Sequence, residues 1–402
     1  MSIVINNNYY NPENNEIEIV ERKGFGHPDT LADQLAKECS RIYSQYCLDH
    51  FGVILHHNFD KLYIGAGCFR YINNELKMIS PIKVFVNGRA SNTFNGKKID
   101  IEKLLIPVIR EYVGSVLPRL NVLDELEIHI NPTQNSKFPH WFEPNDINDV
   151  PDSKEVFAND TSLCISHYPL TICEDLTLNV SNYFWKYQKK NKYPTPRFND
   201  VGQDIKVMTF RNQKDITITV CLPVYYDMFT NMNEYINVIK KYEKLLYRDI
   251  LSNSKYENYN ISLDINKSIT KDYHYYTLGK GSCLECGEEG VVGRGNNLSG
   301  LIPTFRPYSM ESPFGKNERY HTGRVLSNLA NIVTKQIYDE LGISSSIYCL
   351  TQNKSKLLNP SLLYISIDKK VTKELELRIK EIVSSIFDEN SYLNRIMEVN
   401  IV

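Results

Sequence analysis

Six stretches of this 402-residue chain repeat apolar residues at helical spacing, and the stretches between them alternate apolar with polar positions. Residues 17–29, IEIVERKGFGHPD, read as a strand, a glycine turn and a helix start. Pro28 suits a first helical position. The helix then carries Leu31, Leu35, Cys39, Ile42 and Tyr46 on one face until Gly52 stops it. Residues 52–67 predict two short strands around an Asn58–Asp60 turn, and a further strand is expected at 82–86. Asp100 caps a second helix bearing Leu104, Leu105, Val108, Ile109 and Val113. The proline- and asparagine-rich segment 131–151 reads as a connection.

A capping box from Thr171 to Glu174 opens a third helix that buries Leu176, Val180, Tyr183, Phe184 and Tyr187. A hairpin is expected from residues 204–208 and 215–221, where Ile216, Ile218 and Val220 alternate with polar neighbours. A fourth helix follows at about 233–251, with Tyr235, Ile239, Tyr242 and Leu246 inward, then a strand at 259–264. A fifth helix is expected at about 318–341, stopped by Gly342. Strands near 346–350 and 362–367 precede a last helix at about 372–388 with Leu375, Ile379, Ile382 and Ile386 inward. Two helices and several strands fall in each third of the chain. The expected class is therefore α+β, with three similar units over 1–135, 136–268 and 269–402.

The one long stretch outside this pattern lies at 279–323, where nine of the nineteen glycines fall. Glycines tolerate positive φ and close approach of backbone to a ligand. Between them stand Glu288, Glu289, Arg294, Arg306, Glu311 and Lys316. Cations beside carboxylates suit a polyphosphate and its metal ion, since cations meet phosphate oxygens and carboxylates hold Mg²⁺. His27 and Asp29 sit at a helix N-terminus, which attracts anions. The bland alternative is that His27 caps the turn while Asp29 supports the helix dipole. His56, His57, Asp60 and Lys61 read equally as a site or as a polar hairpin.

Charge and composition narrow the class. Net charge is −2, so no basic field points to nucleic acid. No apolar run reaches the length of a membrane span. The polar start carries no signal pattern, and nine scattered cysteines read as reduced thiols, so a cytoplasmic protein is expected. Cys283 and Cys286 form a lone CxxC, weak as a zinc signal without a second pair.

The motifs, taken in order, resemble those of the archaeal-type S-adenosylmethionine synthetases (methionine adenosyltransferases). VERKGFGHPDTLAD (20–33) resembles the family's amino-terminal signature, and LHHNFDK (55–61) its HHN-x-DK segment. ANDTS (158–162) and GQDIKVM (202–208) resemble the central motifs. GEEGVVGRGN (287–296), SGLI (299–302), RPYSME (306–311) and GKN (315–317) resemble the carboxy-terminal ones. The resemblance implies three interleaved domains with pseudo-threefold symmetry, and homodimers with active sites at the subunit interface. It implies the substrates ATP and L-methionine, and Mg²⁺ as cofactor, with K⁺ left open. Tripolyphosphate would be released and then hydrolysed. By position within the motifs, His27, Lys206, Arg294 and Lys316 would serve the triphosphate. Asp29 and Glu289 would hold metal. Asp60, Lys61, Asp160 and Glu288 would bind the substrates, with Glu21 in a less defined role.

The chain departs from the family pattern in places. Glutamates 288 and 289 replace two aspartates. Cys164, Ser166 and His167 replace two glycines and a tyrosine after ANDTS. Phe59 replaces threonine, Glu318-Arg319-Tyr320 departs after GKN, and Lys37 stands where the family often has an acid. Side chains added where glycine left room either reshape the nucleophile pocket or are absorbed by a shifted backbone that keeps it unchanged. A second reading is therefore a relative that adenosylates another sulfur compound, and a third is a catalytically weak binding partner of an active enzyme.

Overall fold

The computed structural model describes residues 1–398 except 74, 138, 151–154, 187–191 and 268–274. Tyr187 lies outside the described residues. Three sheets of four or five strands carry the architecture, and each gathers strands from widely separated segments. The five-stranded sheet runs Asn260–Ile265, Asp215–Cys221, Lys206–Asn212, Ile17–Lys23, Ile302–Pro303. A second sheet orders Leu126–Ile130, Ile82–Val86, Tyr63–Gly65 and Gly290–Val291. The third joins Ile3–Asn6, Leu362–Ile367, Ser345–Leu350 and Leu163–Tyr168.

Among the described residues six longer helices cover these sheets: α1 (Pro28–Phe51), α2 (Ile101–Val116), α3 (Ile172–Asn182), α4 (Met232–Leu246), α5 (Thr322–Leu341) and α6 (Lys373–Ile386). Their signals are those of the sequence. Gly52 and Gly342 end α1 and α5 in the left-handed region at φ 70° and 60°. Asp100 accepts the Lys103 amide at α2, and Thr171 and Glu174 form both halves of the capping box at α3. Helix α5 starts at Thr322 rather than 318. Glu318 is drawn away into a buried network with Ser40, Ser44 and His57, and His321 becomes the cap. A further helix, Tyr392–Glu398, follows α6 without a sequence signal. Segment 131–151 does more than connect, because Phe142 and Val150 are buried and Phe142 packs edge-on to His56.

What positions the site is the five-stranded sheet. Strand 17–23 pairs antiparallel with strand 206–212, placing Lys23 opposite Lys206 and Glu21 opposite Met208. Alternation then sorts two faces. Glu18, Val20 and Arg22, with Val207 and Thr209, are buried. They meet α3 through Thr177–Thr209 (2.7 Å) and Arg22–Ser181 (3.0 Å). The other face shows Glu21, Lys23 and Lys206 beside Ile17, Met208 and Phe210, the last three each about 40% exposed.

Candidate active site

The strand 17–23 leaves the sheet at Lys23 and turns through Gly24-Phe25-Gly26 into α1. This turn lies against residues 203–205 so closely that a Cβ on Gly26 would fall 2.4–2.5 Å from Gln203. His27 is the N-cap of α1, its Nδ1 accepting the Asp29 amide at 3.2 Å. Capping is therefore one of its roles, and it fixes the tautomer: Nε2 carries the proton and is free to donate. Burial first, then the Lys23 ammonium, lowers the imidazole to about 4, so it is neutral near pH 7.

Asp29 is held on both oxygens. Oδ2 meets Lys23 Nζ at 2.9 Å, and Oδ1 accepts the Val291 amide at 3.1 Å. One turn on, Asp33 Oδ1 accepts the Gly293 amide at 2.7 Å, and burial pushes this carboxyl up to about 8. The glycine-rich loop is thus seated on the first turns of α1. Added Cβ atoms at Gly290 and Gly295 would lie 2.2 Å from the Pro28 carbonyl and 2.1 Å from Asp33 Oδ2. Asn296 completes the seat by bonding both the amide and the carbonyl of Lys23 at 2.9 and 2.7 Å.

Around this corner the structure brings together Glu21, His27, Asp29 and Lys206, with Lys206 Nζ 2.8 Å from Glu21 Oε1. The Arg294 carbonyl accepts from Lys23 Nζ at 2.8 Å. Its guanidinium is exposed and has no partner among the described residues. Beside it a cavity of about 450 Å³ is lined by Ile165, Arg294, Leu298, Met310, Glu311 and Ser327. Glu289 bonds the Tyr63 hydroxyl, raising it to about 12, while Glu288 turns instead toward Asp204 and Cys283.

The remaining candidates form a second cluster. Lys316 pairs with Glu311, whose other oxygen accepts from Ser162 at 3.1 Å, two residues beyond the exposed Asp160. Asp60 and Lys61 pair with each other at 2.8 Å. The loop 315–317 reaches them because Phe59 donates to the Gly315 carbonyl at 2.6 Å. Glu311 and Arg294 line the same cavity, which lies between the two clusters.

Several expectations need correction. Arg306 is not a phosphate ligand in waiting: it is 4% exposed and forks onto Glu174 at 2.9 and 3.0 Å. His57 is core, its ring held by Ser40, Leu55 and Asn317, and His56 stacks on Tyr320. Cys164 and Ser166 face α5, where Ser166 meets Thr334 at 3.3 Å. The side chain between them, Ile165, faces the cavity. Sequence reasoning missed Lys23, Asp33 and Asn296. Strand alternation from Glu21 could have found Lys23, whereas nothing local marks the other two.

The fold and the motifs gathered at this corner are those of one protein family. A model of the S-adenosylmethionine synthetase (AdoMet synthetase) family matches residues 2–400, and the chain belongs to that family. It is 33% identical over 401 residues to an S-adenosylmethionine synthase of Methanocaldococcus jannaschii, covering 96% of this chain and 94% of that one. It is 39% identical over 392 residues to an uncharacterized protein of Streptococcus pyogenes serotype M3, covering 96% and 93%. Among solved structures it resembles an unusual S-adenosylmethionine synthetase from Campylobacter jejuni, with TM-score 0.55 and 14% identity over 95% of this chain and 93% of that one. No helix of the described residues is long and apolar enough to cross a membrane.

Proposed function

We propose that this chain is a methionine adenosyltransferase, joining the sulfur of L-methionine to C5′ of ATP and then hydrolysing the displaced tripolyphosphate. The observation that carries the reading is the corner where the glycine-rich loop seats on α1 beside His27, Asp29, Lys23 and Lys206. A thioether has no proton to lose, so the step calls for alignment and stabilisation of the leaving charge rather than a general base. Neutral His27 offers its Nε2–H to a leaving phosphate oxygen. Lys206 and Lys316 each rest on a carboxylate that a polyphosphate would replace as partner, and Arg294 adds an exposed cation at the cavity edge.

Mg²⁺ fits the same place by donor type. Asp29 and Asp33 offer carboxylate oxygens one turn apart on α1, with Asp33 Oδ2 buried against Gly295. When bound, Mg²⁺ would neutralise charge on the tripolyphosphate. Glu289 is a further ligand in this reading. Asp60, Lys61 and Asp160 serve methionine and adenosine. Glu288 does not, since its carboxylate lies with Asp204 and Cys283.

A second copy of the chain is the proposed cover for the open sheet face of Ile17, Met208 and Phe210, which is continuous with Glu21 and Lys206. If one site takes His27 from one chain and Lys316 from its partner, mixing an inactive His27→Ala chain with an inactive Lys316→Ala chain should restore part of the activity. The three sheets are consistent with three interleaved units related by pseudo-threefold symmetry. Product analysis after incubation with ATP, Mg²⁺ and a panel of methionine, ethionine and selenomethionine tests the nucleophile. Methionine as the best substrate supports the proposal, and turnover only with another sulfur compound replaces it with the divergent-substrate reading.

A further inference from the structure

Behind the His27 turn lies a cluster that the proposed reaction does not use. Ser282 caps a tight turn over Cys283–Glu285, and Gly287 at φ +106° reverses the chain. The Glu288 amide then returns to the Cys283 carbonyl at 3.2 Å. This loop folds Glu288 back over the Cys283 thiol. Asp204 arrives from the opposite side, its Oδ2 accepting the Cys283 amide at 2.9 Å. One ligand atom each from Asp204, Cys283 and Glu288 lies within 4.8 Å of the others. The Cys286 thiol lies beside this trio, its Sγ donating to the Cys283 carbonyl at 3.4 Å. The hydroxyl of Tyr276 stands 3.5 Å from Cys283 Sγ and closes one flank.

One thiol and two carboxyl groups therefore converge, with a second thiol beside them, and every one of them becomes anionic on losing its proton. Asp204 is 4% exposed, and no lysine or arginine pairs with it among the described residues. A buried carboxylate without a counter-charge is costly, and a bound cation is one of the few ways to keep it. The donor types select the cation. Magnesium takes oxygen donors, whereas a cysteine sulfur among carboxylate oxygens suits the borderline-soft zinc class, and the neighbouring Cys286 thiol can supply a fourth ligand by rotating away from the Cys283 carbonyl. The spacing Cys283-x-x-Cys286-Gly287 is also the short turn that zinc-binding cysteine pairs use.

We propose that Cys283, Cys286, Asp204 and Glu288 form a structural site for a zinc-class divalent cation, separate from the Mg²⁺ position at Asp29. Its place in the fold gives it a use. Ser282 Oγ donates to the Gly26 carbonyl at 2.7 Å, and Asp204 lies two residues before Lys206. The ion thus clamps loop 279–288 to the segment that carries Lys206 and to the turn that sets His27.

The test measures metal, not turnover. Protein purified reduced and without chelators is analysed by elemental mass spectrometry, then titrated with Zn²⁺ and with Co²⁺. One zinc per chain is expected, together with a thiolate-to-cobalt charge-transfer band in the Co²⁺ form. Cys286 and Glu288 are exposed, so Cys286→Ser and Glu288→Gln should fold normally while losing most of the zinc. Equal zinc in wild type and Cys286→Ser overturns the site. So does wild-type protein that takes up no Zn²⁺, or whose Cys283 and Cys286 are found joined as a disulfide under the same conditions.

Discussion

Replacing Gly290 by alanine tests the loop seat with the smallest available change. The new methyl carbon would stand 2.2 Å from the Pro28 carbonyl oxygen and 2.6 Å from its carbon, both backbone atoms of the first turn of α1. Backbone cannot rotate away as a side chain can, so strand 290–291 must lift. Overpacking of this kind costs about 1–3 kcal/mol. Lifting also stretches the Val291–Asp29 and Gly293–Asp33 hydrogen bonds (3.1 and 2.7 Å); the bond to the Asp29 carboxylate is worth about 1.5–3 kcal/mol and the one to the mostly protonated Asp33 about 1 kcal/mol. A total of about 3 kcal/mol or more is expected. The control is Gly114→Ala in α2, where the same methyl meets only Val122 methyls at 3.6 and 3.9 Å. There alanine should stabilise by up to about 1 kcal/mol, the ordinary helical preference. Scanning calorimetry and steady-state kinetics on both variants give opposite shifts in Tm, and only Gly290→Ala should lose kcat. If Gly290→Ala melts with the wild type and turns over normally, the loop does not sit on α1 as described.

Lys206→Ala and Arg294→Ala should each lower kcat by about 10², the scale for one preorganised contact to a developing charge, while KM for methionine changes less. Near-normal kcat in both would remove them from the mechanism. Arg306→Ala should instead destabilise the fold by about 3–5 kcal/mol by stranding buried Glu174, seen as a fall in Tm. Stability should also fall as pH drops from about 6.5 towards 4. Burial holds His167 at about 4 in the fold, whereas the unfolded chain takes its proton near 6.5, so acid favours unfolding by up to about 1.4 kcal/mol per pH unit for this group. Above about pH 7 this contribution is constant, and His167→Tyr should flatten the measured Tm slope between pH 6.5 and 4. Cys164→Gly with Ser166→Gly should leave the kcat/KM ratio of methionine to ethionine unchanged, whereas Ile165→Ala should alter it, because only Ile165 faces the cavity.

Local signals survived into the structure wherever chemistry within a few residues decides the outcome. Pro28, Gly52, Asp100 and Thr171 mark helix ends through caps that depend on the adjacent backbone alone. Pairing was less legible. Nothing in strand 17–23 says that its neighbour is 183 or more residues away, because each strand contributes only half of a ladder. Arg294 and Arg306 look alike in the glycine-rich stretch, yet one is exposed at the cavity and the other is buried on Glu174. The parity of strand 163–168 has the same character. Alternation says that Cys164 and Ser166 share a face, but only the position of α5 says which face is the cavity's. Motif resemblance pointed to His27, Asp29 and Lys206 as candidates, while their neighbours Lys23, Asp33 and Asn296 came from geometry alone.

The most direct test of the adenosyl-transfer reading is the stoichiometry of purified protein with ATP, Mg²⁺ and L-methionine. The account predicts one S-adenosylmethionine, one phosphate and one diphosphate for each ATP consumed, with no product when methionine is left out. ATP left unchanged, or hydrolysed with no sulfonium product in the presence of methionine, would contradict it.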